Sequence, residues 1–136
     1  MTKPIASIIW PTEAQSSVRL FLLFMLKAVE CLGITFATSN HDPIAIVKEH
    51  LAGNDVERQR QAALSYWWTI VDDQGIRNFE GEGALIARLA ICLLTPNEAD
   101  VQNFGEQLSW FLEVLEFLQF DTNEVMNLMA NHFSYT

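Results

Sequence analysis

The sequence predicts an all-α protein, an irregular bundle of five to seven helices around a central apolar helix. Apolar residues recur at helical spacing along most of the chain, and capping residues and glycines divide it into short segments. No stretch of useful length alternates polar and apolar residues as a half-buried strand would. The chain has 136 residues, of which 50% are hydrophobic and 18% charged. Such a composition is typical of one ordered domain, here residues 1–136.

The first predicted helix covers residues 13–32 and is our candidate for the centre of the bundle. Thr12 followed by Gln15 has the pattern of a capping box at its start, and Gly33 is a natural C-terminal stop. Its apolar residues cover most of the helix circumference, which is typical of a helix buried on all sides. Charged residues interrupt the apolar run within one span length, so it does not predict a membrane span or a signal peptide.

Four or more helices follow, each placed by its capping signals. The predicted segments run from Asp42-Pro43 to just before Gly53, from Asn54 or Asp55 to about Val71, from Ala84 to Leu94, from Pro96 to about Leu118 with a bend near residues 103–105, and from Asp121 or Thr122 to about His132. In the fourth of these, Thr95 is the predicted cap. Residues 76–83 fit either a short extended connection or a tight loop.

The net charge of -9 is unevenly distributed. Residues 89–136 contain seven acidic residues and no Lys or Arg. These acids are Glu98, Asp100, Glu106, Glu113, Glu116, Asp121 and Glu124. A surface of this sign repels phosphate backbones and anionic lipids, so we expect neither nucleic acid nor membrane as a partner. We expect a cytoplasmic protein.

Candidate metal and redox residues are few and badly spaced. His41, His50 and His132 do not stand at zinc-site offsets from one another or from a cysteine, and the Glu-x-x-His pattern of di-iron bundles is absent. We therefore expect surface histidines, no metal and no cofactor. Cys31 and Cys92 each lie in an apolar helical stretch, which predicts two buried free thiols and no disulfide.

Catalysis is not predicted either. Glu113 and Glu116 lie one helical turn apart and could share an acid and base role, but no His or second carboxylate pair completes such a site. The more common meaning of this spacing is the solvated edge of a helix. We expect a protein that is not an enzyme. Sequence spacing does not reveal an active site that the fold assembles in a pocket between helices.

Aromatic residues beside acids are the main functional signal. Tyr66, Trp67 and Trp68 are consecutive, and because helix neighbours differ by about 100°, the three rings cannot all face one core. Trp110, Val114 and Phe117 form a second strip on a later helix. We expect that strip to pack beneath the C-terminal helix; if exposed, it would indicate an interface.

This combination resembles, in general character, the immunity proteins of bacterial toxin systems, including those of contact-dependent inhibition. The resemblance depends on residues 66–82 and on the acidic bias of residues 98–124, and covers no defining motif. It implies a small acidic protein that neutralises a basic toxin domain, of the nuclease type, by stoichiometric binding over its active-site surface. The predicted partner-binding residues are Trp68, Asp72, Asp73, Glu80 and Glu82, with Glu113 and Glu116 as a second set.

Two alternatives remain open at this point. A helical adaptor or homodimerising regulatory protein would use the same apolar strips for another partner, and the oligomeric state is not predicted. A small-molecule binder or enzyme would have a pocket between the helices.

Overall fold

The prediction of an all-α bundle is confirmed. The computed structural model describes residues 5–36, 40–74 and 82–136, and of Asp73, Gln74 and Glu82 the backbone alone. The helices in these ranges are α1 (Ala14–Cys31), α2 (Pro43–Leu51), α3 (Glu57–Gln74), α4 (Glu82–Leu94), α5 (Phe104–Phe117) and α6 (Asn123–His132). A 3-10 helix, Glu98–Asn103, leads into α5 and forms the bend expected there. Most of the unassigned segment, residues 76–81, lies outside the described residues.

The most completely buried helix is α4 rather than α1. From Ala84 to Leu94 every residue of α4 is buried except the half-buried Ile86, and α4 packs against α1, α2, α3 and α5. Helix α1 instead buries one face and exposes Arg19 and Lys27 on the other. The prediction that the helix over residues 13–32 is buried on all sides is therefore wrong. Several of the leucines that complete its apolar circumference are only half-buried, at the edge of the core.

Side-chain caps account for four of the helix starts, including the predicted Asp121, which accepts the backbone N–H of Asn123 at 3.0 Å at the start of α6. The carboxylate of Asp42 accepts the backbone N–H of Ile44 at 3.0 Å, and Asp55 accepts that of Glu57 at 3.1 Å. Both caps were predicted. The fourth cap is Asn97, which accepts the N–H of Ala99 at 2.9 Å.

Two predicted caps are wrong. Thr95 donates its hydroxyl backwards to the carbonyl oxygen of Ile91 and so belongs to the end of α4. At the start of α1 the N-cap residue is Glu13, which makes no side-chain capping bond. The N-cap position of α1 is therefore one residue later than the capping box of Thr12 and Gln15 predicted.

Three helices end in the same left-handed turn. Gly33 after α1 and Gly53 after α2 have φ of 68° and 94°, which glycine adopts without steric cost. Gln119 after α5 has φ of 67°. The N–H of Gln119 bonds the carbonyl of Glu116 at 2.9 Å, and that of Phe120 bonds Leu115 at 3.1 Å, as in a Schellman motif. The α5 terminus thus holds a side chain where glycine is the usual residue.

A short strand pair joins distant parts of the chain. Strands β1 (Ile8–Ile9) and β2 (Ser134–Tyr135) are antiparallel, with Ile8 opposite Tyr135. Beside them the ring of Trp10 lies 5.3–5.7 Å from the rings of Phe21, Phe104 and Phe133. This aromatic cluster attaches β1 to the core. Among the described residues no helix is long and apolar enough to cross a bilayer.

The interface between α1 and α6 corrects two predictions. Cys31 is exposed rather than buried, and its thiol donates to the carboxylate of Glu124 at 3.1 Å, which raises the pKa of the thiol. His132 is half-buried rather than at the surface. Its Nε2 lies 2.8 Å from the carbonyl oxygen of Leu20, and its Nδ1 lies 3.2 Å from the Nζ of Lys27. A carbonyl accepts and an ammonium donates, so these contacts match a neutral ring with its proton on Nε2.

Candidate partner-binding surface

Helix α3 turns its three consecutive aromatic side chains in different directions, as predicted. Trp67 is 5% exposed, and its Nε1 donates to the carbonyl oxygen of His41 at 2.8 Å. Tyr66 and Trp68 are 39% and 38% exposed. The Tyr66 ring stacks on His41 with centroids 4.5 Å apart. Because Tyr66 and Trp68 lie on opposite sides of the buried Trp67, they do not form one continuous apolar surface.

Of the first set of predicted contact residues, the described side chains are those of Trp68 and Asp72. They lie four positions apart on one face of α3, and both are exposed. We call this pair the α3 patch. Asp73 and Glu82 have a described backbone but no described side chain, and Glu80 lies outside the described residues. The structure therefore brings two members of the set together and leaves the others untested.

The second set lies on a more extensive surface along α5. Glu106, Trp110, Glu113 and Phe117 succeed one another at intervals of four, three and four positions, so they share one face. Glu116 lies beside them. The acids are exposed, Trp110 is half-buried against the core, and Phe117 is 54% exposed. We call these five residues the α5 stripe, which extends for about 16 Å at 1.5 Å per residue.

The expectation that the Trp110, Val114 and Phe117 strip packs beneath the C-terminal helix is wrong for Phe117. Val114 is 1% exposed and belongs to the core, whereas Phe117 projects from the surface. Helix α6 packs chiefly on α1, and Phe117 is left exposed. The strip is divided because Val114 lies about 60° around the helix from Phe117, enough to cross the boundary between core and surface.

The electrostatics of the α5 stripe are unfavourable to the isolated helix. Glu116 stands in the last turn of α5, where the partial charge of the helix terminus is negative, and no basic residue lies in that turn. Glu113 is three positions away, so the two carboxylates repel each other. Within residues 5–36, 40–74 and 82–136, neither forms an ion pair. These acids therefore do not stabilise the fold.

The ion pairs of the described residues lie elsewhere. Lys48 approaches Glu30 at 3.7 Å, and Arg60 bonds Glu57 at 2.7 Å. The second pair, with Gln61, lowers the pKa of Glu57 to about 2. No three His, Cys, Asp or Glu side chains of the described part converge on a possible metal position. The α5 stripe is thus an acidic and aromatic surface whose carboxylates have no ion-pair partner among the described residues.

Three residues of the α5 stripe were absent from the predicted contact residues, namely Glu106, Trp110 and Phe117. Their spacing to Glu113 was visible in the sequence, but exposure could not be read from spacing. No protein-family model, curated protein or solved structure matches this chain. The side chains of the α3 patch and the α5 stripe are accordingly the basis of the functional argument.

Proposed function

We propose that this chain is a small acidic binding protein that neutralises a basic toxin domain, in the manner of a bacterial immunity protein. The α5 stripe is the principal contact surface, and the observation that carries the proposal is its pair of uncompensated carboxylates beside an exposed phenylalanine. The chain acts by stoichiometric binding over the active-site surface of the toxin.

The charges of the stripe support a basic partner. Glu113 and Glu116 repel each other and lie at the negative end of a helix, so a cation placed between them removes an unfavourable interaction as well as adding a favourable one. The 48 residues from Leu89 onward contain no Lys or Arg that could compete. Long-range attraction by such a surface accelerates association with a basic protein and weakens as salt is added.

The aromatic side chains supply affinity. Phe117 and the half-buried Trp110 alternate with the carboxylates, so a partner that pairs with the acids also covers the rings. Buried aromatic anchors surrounded by polar groups are the usual energetic centres of protein interfaces, where truncation costs about 2 kcal/mol or more. The α3 patch has the same chemistry on a smaller scale and is the second contact candidate.

The charge pattern argues against a homodimer closed through α5. Two-fold packing of the stripe on its own copy would place Glu106, Glu113 and Glu116 against the same acids of the second chain. Like charges facing each other across an interface cost several kcal/mol. Sedimentation that gives a constitutive dimer, with the stripe buried in it, would favour the adaptor reading instead.

The decisive experiment is affinity capture of the tagged chain from its native host at moderate and at high salt, with the retained proteins identified by mass spectrometry. We expect one basic protein that loads more slowly at high salt. When this protein is produced alone in a test cell it should arrest growth, and co-production of the chain should restore growth.

Charge-matched variants make the result specific to the α5 stripe. Glu113→Lys combined with Glu116→Lys should abolish capture and protection. Glu30→Lys combined with Glu49→Lys changes the net charge equally on α1 and α2 and should preserve both. Capture that is equally reduced by the two variants would indicate bulk charge rather than this surface, and recovery of the chain alone would remove the support for an inhibitor.

A further inference from the structure

A cavity of about 420 Å³ lies between α1, α2, the start of α3 and the end of α4. It is separate from the α5 stripe. Apolar side chains that are themselves well buried form its floor, among them Val18, Val47, Val56 and Leu93. The volume is within the range of small-molecule pockets, which are usually apolar with a few placed polar groups.

The polar rim contains charges of both signs, and one pair of them, Glu57 and Arg60, neutralises itself. Glu57 accepts hydrogen bonds from Arg60 Nε at 2.9 Å and Nη2 at 2.7 Å, while Arg60 Nη1 donates to the carbonyl oxygen of Leu94 at 2.7 Å. That guanidinium and that carboxylate satisfy each other. Asp55 accepts the backbone N–H of Glu57. The Glu57 and Arg60 pair holds the start of α3 against the end of α4 and is not free for a ligand, whereas no cation of the described residues pairs with Asp55.

Arg19 is differently placed. Its Nη1 donates to the carbonyl oxygen of Leu51 at 3.0 Å, which fixes the side chain at the end of α2, and no carboxylate of the described residues pairs with its charge. His50, from α2, lines the same cavity. The rim carboxylates without an ion pair among the described residues are those of Asp55 and Glu98, and both are exposed to solvent that screens their charge. The guanidinium fork matches the geometry of a carboxylate.

We propose that this cavity binds a small organic carboxylate with an apolar body. The carboxylate pairs with Arg19 beside His50, and the apolar body lies on the floor formed by α1, α2 and α4. The site is independent of the proposed inhibition, because none of the α5 stripe residues lines the cavity.

Three probes that share one apolar body test the charge preference. They are 3-phenylpropionate, 3-phenylpropan-1-ol and 3-phenylpropylamine, titrated into ¹⁵N-labelled full-length protein and followed by amide chemical shifts. We expect saturable shifts at the cavity amides, including those of Gly53 and Asn54, with the carboxylate binding about tenfold or more tightly than the alcohol. Equal binding of all three, preference for the amine, or no saturable shift with any would each overturn the proposal.

A matched pair of variants locates the carboxylate. Arg19→Gln removes the charge and keeps a polar amide at this position, so the carboxylate should bind about tenfold more weakly while the alcohol is unaffected. Arg58→Gln removes the same charge from an exposed position on α3 outside the cavity and should leave both unchanged. The amide spectrum of each free variant verifies its fold. Equal carboxylate affinity in the two variants would contradict the role of Arg19.

Discussion

Reversing the charge of Glu116 should stabilise the free protein. In the native chain this carboxylate is repelled by Glu113, at a cost of about 0.2–0.5 kcal/mol, and by the terminus of α5, at a cost of about 0.3–1 kcal/mol. In Glu116→Lys both interactions become attractive. With solvent screening of an exposed site, we expect the free energy of unfolding to rise by about 1 kcal/mol at low ionic strength, or about 3–4 °C in Tm.

Glu106→Lys is the control for this measurement. Glu106 stands in the first turn of the same helix, where a carboxylate is favourable, so its reversal should destabilise by about 0.5–1 kcal/mol. Both variants change the net charge from -9 to -7, since Glu to Lys adds two positive charges. Urea unfolding followed by circular dichroism gives both values, and about 1 M salt should shrink both differences. If both variants changed the free energy of unfolding in the same direction, the local electrostatic field on α5 would not be the reason that Glu116 is destabilising.

Three further predictions concern stability. Phe117→Ala should lower the free energy of unfolding by less than about 1 kcal/mol, whereas Leu115→Ala, at a fully buried position, should lower it by about 2–5 kcal/mol. Equal losses in urea unfolding would mean that Phe117 belongs to the core. The pKa of Glu57 is lowered from 4.5 to about 2, so its contribution to the free energy of unfolding is present above pH 4.5 and lost as the pH falls towards 2. Arg60→Ala should remove this part of the acid sensitivity. An unchanged dependence of stability on acid pH would contradict this prediction. Burial lowers the pKa of His132 below 6.5, so its contribution to the free energy of unfolding is complete above pH 6.5 and lost as the pH falls through the pKa of the folded protein. In His132→Gln, stability should therefore decline less between pH 7.5 and 5. An equal decline in both proteins would exclude His132 as a source of the pH dependence.

The elements of the fold were predictable because their signals are local. Asp42-Pro43 and Asp55 place helix starts through single side-chain bonds to nearby backbone, and the Gly33 and Gly53 turns are set by backbone sterics. The depth of each helix was not predictable in this way. Helices α1 and α4 are both strongly apolar, and which of them is surrounded depends on long-range packing that periodicity does not record.

The candidate surface was partly predictable for the same reason. Helical geometry required that Tyr66, Trp67 and Trp68 face different directions, and the structure buries the middle one. Helical geometry could not predict whether α6 would cover Phe117, because that depends on the path of the chain after Gln119. The cavity was beyond prediction, because Arg19, Val47 and Leu93 meet only after four helices have packed.

The pairing of Ile8 with Tyr135 has a consequence for how the protein is made. Synthesis delivers the N-terminal part of a chain first, and the loop closed by this pair encloses almost all the helices, so its closure is entropically costly and late. Ile8, which is 7% exposed in the finished fold, can pair with Tyr135 only after β2 has left the ribosome. The helices can assemble during translation, but the β1–β2 pair cannot form before residues 134–135 have been synthesised.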